Sequence, residues 1–331
     1  MQMLNFTHKI KTVLHHPSII KSILYRKSLD EIRAETRAGH DKVDKYETMK
    51  FISYTKQNLP YSINSPNRPK LNRLCSREDW NNDEILQTIS ELKSNPPITI
   101  HRKDWEFAMG IIAMKRYNKL NTNSIAIGIG SGVEPISFYL ANKLKHVYAT
   151  DLYDRKEWNN SAPSDFPDNP RKYAPFPYKE DALTVLRMDG TNINFPSETF
   201  DIAFSFSSIE HFGGQNHEGA LKSLKEMERV LKKDGIAVIA TEYIINGKDH
   251  LEFFNKKTIY SDLIDKLDSL KLVEPLDLRI TTKTLDTVMD YPKSLYWDEA
   301  DDDEFKKTHP HLLLKYQNIL LTSVMLIFQK K

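Results

Sequence analysis

Cysteine is nearly absent: Cys75 stands alone among 331 residues. No disulfide can close within the chain and no cysteine-based metal cluster can form, so a reducing compartment, the cytoplasm, is expected. The sequence also lacks any apolar run of about eighteen residues, the length of a membrane-crossing helix. No secretory leader is expected at its start, because His8, Lys9, Lys11, His15, His16 and Lys21 break every apolar stretch there. Charge of one sign is lacking too. The net charge of +2 leaves no footprint for nucleic acid, and no nucleic-acid partner is expected. What is present, 40% hydrophobic and 28% charged residues, reads as a soluble globular protein.

One local imbalance stands out. Lys9, Lys11, Lys21, Arg26 and Lys27 all precede the first acid, Asp30, with Leu4, Phe6, Ile10, Val13, Leu14, Ile19, Ile20, Ile23 and Leu24 among them. Two readings are open. The segment is either a basic amphipathic stretch making weak peripheral contact with an anionic membrane, or a pair of short helices broken at Pro17 and packed on the main domain. Residues 1–97 are expected to form a helical and loop extension that closes at Pro96 and Pro97.

From residue 98 the pattern becomes regular. "HRKDWEFAMGIIAMKRYNKL" predicts a helix and "SIAIGIG" a buried strand. "EPISFYLANKLK" follows as a helix with Pro135 in its first turn, where a missing N–H costs little. "HVYATDLYD", "LTVLRMDG", "FDIAFSFSSI" and "GIAVIATEYI" are further strands. "EGALKSLKEMERVLKKDG" is a helix with Gly235 as its expected stop, followed by a helix near 257–270, a strand near 271–280 and a closing strand "NILLTSVMLIFQ". Apolar strands alternating with helices predict a mostly parallel, doubly wound α/β sheet with helices on both faces. In such a sheet the ligand lies beyond the carboxyl ends of the strands.

There stands "AIGIGSGVEP". The dinucleotide fingerprint G-x-G-x-x-G fails in both registers, because Val133 or Pro135 stands where the third glycine belongs. A phosphate-binding G-K-[ST] is also missing. The spacing is instead G-x-G-x-G over Gly128, Gly130 and Gly132, with Ser131 between the last two. Asp151 follows Gly132 by 19 residues, at the end of the next strand, where an acid can accept both ribose hydroxyls. Asp189 and Gly190 follow the third strand, and a carboxylate there can accept from an adenine amino group. Together these features describe an adenosine site without phosphate contacts.

"AIGIGSG", "YATDLYD", "VLRMDGTNINFPSETFDIAFSFSSIEHF" and "EMERVLKKDGIAVIATEY", in this order, resemble the class I S-adenosylmethionine-dependent methyltransferases over about residues 98–331. "HRKDWEFAM", "APFPY", "SSIEHFGG" and "ATEYIING" are similar to bacterial methyltransferases associated with cell-surface polysaccharide pathways. The resemblance implies a Rossmann-like domain with a seven-stranded sheet and S-adenosylmethionine as cofactor. It implies cofactor contacts from the glycine loop, Asp151, Leu152, Asp189, Gly190 and Ser207. Ala126 stands where the family often carries an acid, so Glu134 is the candidate for the methionine end; its other reading is a helix-start acid favoured by the dipole. Arg102 either pairs with the methionine carboxylate or is a surface charge beside a core Trp105.

In "SSIEHFGG", His211 is a candidate general base, oriented by Glu210, or else a packing residue. The insert 154–180 carries five prolines and five aromatics, of which Trp158, Tyr173, Phe176 and Tyr178 are candidates to stack on a sugar. The acid run Asp298 to Glu304 reads as a solvated loop, and no metal is expected. The implied reaction is methyl transfer to a hydroxyl or amine of a small-molecule or glycan acceptor. The competing reading is a non-catalytic scaffold on the same fold.

Overall fold

The computed structural model describes residues 70–93, 99–154, 161–290 and 303–331. The expected extension 1–97 therefore lies largely outside the described residues. Its described part holds strand β1 (Arg73–Leu74) and helix α1 (Asp83–Lys93), which buries Ile85, Ile89 and Leu92 at helical spacing.

Six strands fall where alternation predicts them. They are β2 (Ile125–Ile129), β3 (His146–Asp151), β4 (Leu183–Arg187), β5 (Phe200–Phe206), β6 (Leu231–Ile244) and β10 (Ile319–Lys330). The path β4-β3-β2-β5-β6 is parallel throughout, and β10 joins it antiparallel to β6. Helices α2 (Arg102–Arg116) and α3 (Pro135–Ala141) cover one face, and α4 (Glu218–Val230) covers the other. Successive residues of a strand serve opposite faces. In β6, Ile236, Val238 and Ala240 join the α2 side while Ala237 and Ile239 join the α4 side. Helix α2 is buried without a break from Asp104 to Met114, because α1 covers its outer side.

Against the expected seven strands, the sheet has ten among the described residues. The outer edge of β10 would otherwise expose unpaired backbone, and three short strands cover it. They are β1, β7 (Leu270–Leu272) and β9 (Leu313–Tyr316), with β8 (Val288–Asp290) beyond β9. Helix α4 stops at Val230, not at Gly235. The amides of Glu198 and Thr199 cap the carbonyls of Arg229 and Val230, and the chain then turns into β6 with Asp234 in the left-handed region. The helix expected to 270 ends at Lys266. Glu228 of α4 takes the amides of Ser269 and Leu270 and peels the chain off into β7, so the strand expected over 271–280 is only three residues long. No helix among the described residues is long and apolar enough to cross a membrane.

Candidate functional site

The carboxyl ends of β2, β3 and β4 bring the glycine loop, Asp151 and Asp189 together. Gly130 (φ +61°) and Gly132 (φ +42°) adopt backbone that side-chain-bearing residues rarely take. A Cβ on Gly130 would stand 2.7 Å from Cβ of Ser208, and one on Gly132 would strike the Ser161 carbonyl. The loop is pinned on several sides. Ser131 N donates to Thr150 O (3.0 Å), Thr150 Oγ1 to Gly128 O (2.7 Å), Ser208 Oγ to Gly130 O (2.6 Å) and Val133 N to Ser161 O (2.9 Å). Asp151 accepts from Gly132 N (3.1 Å) and Leu152 N (2.7 Å). Burial raises its carboxyl from the ordinary range, and these amides hold the rise in check. Asp189 Oδ1 accepts from Thr191 N and Oγ1, both at 2.8 Å, and the residue faces solvent. Gly190 is buried beside it, and the Phe212 ring lies against both Gly130 and Gly190.

The ends of β5 and β6 are built from side chains instead. Lys103, on the first turn of α2, reaches Glu134 Oε1 (3.0 Å), Glu106 Oε2 (3.2 Å) and Phe206 O (2.6 Å). Arg102 reaches Glu242 Oε1 (2.6 Å) and Ser323 Oγ (3.0 Å). Ser207, a non-glycine residue at φ +51°, gives its hydroxyl to both oxygens of Glu106 at 3.0 Å. Thr241 Oγ1 donates to Glu210 Oε2 (2.9 Å). Burial tends to raise Glu106, but Lys103, Arg102 and the two serines outweigh it and hold it low. Burial wins at the other three acids. Glu134 is pushed up to about 7 and Glu210 to about 8, the latter also by Glu242, and Glu242 is itself raised by burial. Glu134 Oε2, Glu210 Oε1 and Glu242 Oε2 are buried oxygens without a hydrogen bond.

These contacts place several of the expected site residues. Glu134 stands at the N-cap of α3 without capping it, so its carboxylate serves Lys103. Trp105 is core, fully buried, but Arg102 is no surface charge; it is committed to Glu242. Glu210 does not orient His211. The 3-10 turn Ile209–His211 sends Glu210 inward to Thr241, while His211 Nδ1 faces Glu252 at 3.8 Å. The insert aromatics turn inward as well. Tyr178 packs edge-on to Phe138 (5.0 Å) and Tyr173 to the buried Phe166 (5.5 Å), with Lys172 Nζ 4.7 Å from the Tyr173 ring centre, and Phe176 is part-buried against the same cluster. These three seal the insert onto α3 rather than presenting a shared stacking face. Trp158 and most of the acid run lie outside the described residues. Among the described residues no three His, Cys, Asp or Glu side chains group as metal ligands. A cavity of about 610 Å³ opens on the opposite face of β6, beside Tyr243 and Tyr260, away from the glycine loop.

Lys103 and Glu106 are the residues that motif reading passes over as site residues, whereas Glu242 stands among the strand-end positions where a ligand is expected. A signal was available for the first. Two cations in the opening turn of a helix oppose its dipole, which implies partners elsewhere.

Residues 127–239 match the family model described as a methyltransferase domain, about a third of the chain. No curated protein matches. Among solved structures, a putative sarcosine dimethylglycine methyltransferase from Galdieria sulphuraria is similar at 14% identity, covering 75% of this chain and 99% of that one, with a TM-score of 0.46. The [4+2]-cyclase SpnF is similar at 10% identity, covering 78% and 98%, with a TM-score of 0.45. A geranyl diphosphate methyltransferase solved with its SAM is similar at 11%, covering 68% and 78%, with a TM-score of 0.44. The stretch from β2 to β6, which holds the glycine loop, Asp151, Asp189 and Glu210, thus carries the sequence signature of a methyltransferase domain on a doubly wound α/β fold.

Proposed function

We propose that the chain is an S-adenosylmethionine-dependent methyltransferase acting on a hydroxyl or amine of a small-molecule or glycan acceptor, in surface polysaccharide synthesis. The observation that carries the reading is the methyltransferase-domain match over the segment whose strand ends converge on the glycine loop, Asp151 and Asp189. The cofactor supplies an activated methyl group on a sulfonium. Asp151 is held by the amides of Gly132, Leu152 and Tyr153 and would keep acceptor capacity for a ribose hydroxyl. Asp189 accepts from the adenine amino group, and Phe212 forms the apolar wall between the first and third loops. Glu134, whose second buried oxygen has no hydrogen bond, would take the methionine ammonium.

The cofactor would supply the methyl group to an acceptor hydroxyl, and His211 would take the hydroxyl proton. His211 is part-exposed beside Glu252, whose carboxylate favours the imidazolium so formed. The basic N-terminus would supply the peripheral membrane contact for a lipid-linked acceptor.

Titration calorimetry with S-adenosylmethionine, S-adenosylhomocysteine and NAD tests the reading. Binding of both sulfur compounds, weakened in Asp151→Ala and absent for NAD, is the expected result. Failure of both sulfur compounds to bind would overturn it and favour a scaffold.

A further inference from the structure

Neighbouring residues of β6 point to opposite faces. Glu242 turns to Arg102 on the α2 side, and Tyr243 turns to the α4 side, where it and Ile245 line the cavity of about 610 Å³. That volume lies within the span of about 300–1,000 Å³ usual for small-molecule sites. Leu276, Leu278 and Ile280 give the cavity an aliphatic wall. The wall is fixed to the chain before it: Asp277 N donates to Asn72 O (2.9 Å) and Leu74 N to Asp277 O (3.2 Å). Tyr260 adds a half-buried ring from the turn that Asn255 caps, where the Asn255 side chain accepts from Thr258 N (3.0 Å). Tyr243 is 5% exposed, and what is exposed fronts the cavity. Among the described residues its hydroxyl has no hydrogen-bond partner, so it can donate to a group that enters.

Lys70, Lys256 and Arg279, from three separate segments, line the same cavity. Lys256 and Arg279 are exposed and Lys70 is half-buried. Asp277 lines it too, but both of its oxygens serve Arg279: Oδ1 accepts from Nε (2.7 Å) and Oδ2 from Nη2. That fork leaves Nη1 of Arg279 to donate elsewhere. A phosphate presents several oxygens at once, so ammonium groups and a guanidinium edge arriving from different directions can meet on one group. We propose that this cavity is a second small-molecule site, separate from the glycine loop, and that it takes a nucleoside diphosphate. The base lies against the aliphatic wall and the Tyr260 ring, and the Tyr243 hydroxyl donates to a base carbonyl. The phosphates meet Lys70, Lys256 and Nη1 of Arg279. The apolar wall disfavours a bare phosphate, and the cations disfavour an uncharged nucleoside. No bond is made or broken. The site goes beyond the cofactor reading and does not depend on it.

The test is calorimetry of the full chain with uridine diphosphate, uridine and pyrophosphate, with and without excess S-adenosylhomocysteine. The expected result is that uridine diphosphate binds at least about tenfold more tightly than either fragment, and that S-adenosylhomocysteine leaves its affinity unchanged. The double variant Lys70→Ala, Lys256→Ala should lose about tenfold in affinity for uridine diphosphate. Tyr243→Phe, which keeps the ring, should lose about fivefold for uridine diphosphate and nothing for pyrophosphate. The lysine variant carries the test if Tyr243→Phe does not fold. Failure of uridine diphosphate to bind would overturn the proposal, including the case in which residues before Lys70 fill the cavity. Equal affinity for pyrophosphate would overturn it in favour of surface attraction for anions. Displacement by S-adenosylhomocysteine would overturn it by placing the ligand in the glycine-loop cradle. Unchanged affinity in either variant would overturn it as well.

Discussion

Asp151 and Glu210 are both acids just past the carboxyl end of a parallel strand, and the chain holds them in opposite ways. Asp151 is met by the amides of Gly132 and Leu152, donors that the fold itself supplies. Glu210 is met by a hydroxyl and by the charge of Glu242. One end of the site is therefore a backbone cradle, rigid and uncharged. The other is assembled from charged and hydroxyl side chains of α2, β6, β10 and the turns after β2 and β5. The first suits neutral ribose and adenine, and the second suits a ligand with charge.

The contrast can be broken most forcefully at Lys103. Lys103→Met leaves Glu106 and Glu134 without their shared cation and should destabilise the fold by about 3 kcal/mol, the low end for a broken buried pair because Lys103 is 32% exposed. Denaturant unfolding measures it, and a loss below about 1 kcal/mol would mean the cluster is held by packing alone.

The cradle should be sensitive to shape instead. Gly132→Ala meets both a positive φ and the Ser161 carbonyl, and it should cost about 2–3 kcal/mol and abolish measurable cofactor binding. Gly213→Ala, at φ +78° with nothing within 4 Å, should cost only about 1 kcal/mol. Thermal unfolding of the two side by side separates contact from backbone strain. Asp151→Asn keeps one acceptor oxygen for two amides and should cost about 1–2 kcal/mol, with weaker cofactor binding and no change in its pH dependence.

The acid end should show itself through pH. Glu210's carboxyl is raised from 4.5 to about 8 in the folded chain, so the folded state keeps a proton that the unfolded chain gives up. Stability should therefore fall as pH rises through that window and level above it, and Glu210→Gln should flatten the slope. The smallest binding effect is expected at His211, whose ring faces Glu252 at 3.8 Å. His211→Asn should change cofactor affinity by less than about threefold while methyl transfer falls by about a hundredfold. A large loss of affinity would place His211 in the cofactor site instead.

Much of this was legible in the residues. Apolar runs placed six strands, because a strand buried on both faces has no polar alternation to hide it. The failed dinucleotide register and the spacing to Asp151 singled out the loop. Directions were less legible. Glu210 and His211 are neighbours in the chain, but a 3-10 turn sends one inward to β6 and the other toward Glu252. The aromatic count of the insert was plain, yet Tyr173 and Tyr178 went to the core because Phe138 and Phe166 were there to receive them. The end of α4 departs from its pattern for the same reason, since its apolar spacing runs on to Leu231 and the amides of Glu198 and Thr199 close it at Val230.

The sequence by itself determined the alternation of strands and helices, the left-handed glycine turns and the acids at strand ends, because each follows from local backbone preference and periodicity. Only the tertiary structure decided that Lys103 joins Glu134 to Glu106, that Arg102 is committed to Glu242, and that Glu210 takes the Thr241 hydroxyl. These pairings span up to 140 residues (Arg102 to Glu242). They are fixed by the sheet register and by where α2 lies on it, and no local pattern encodes such a distance.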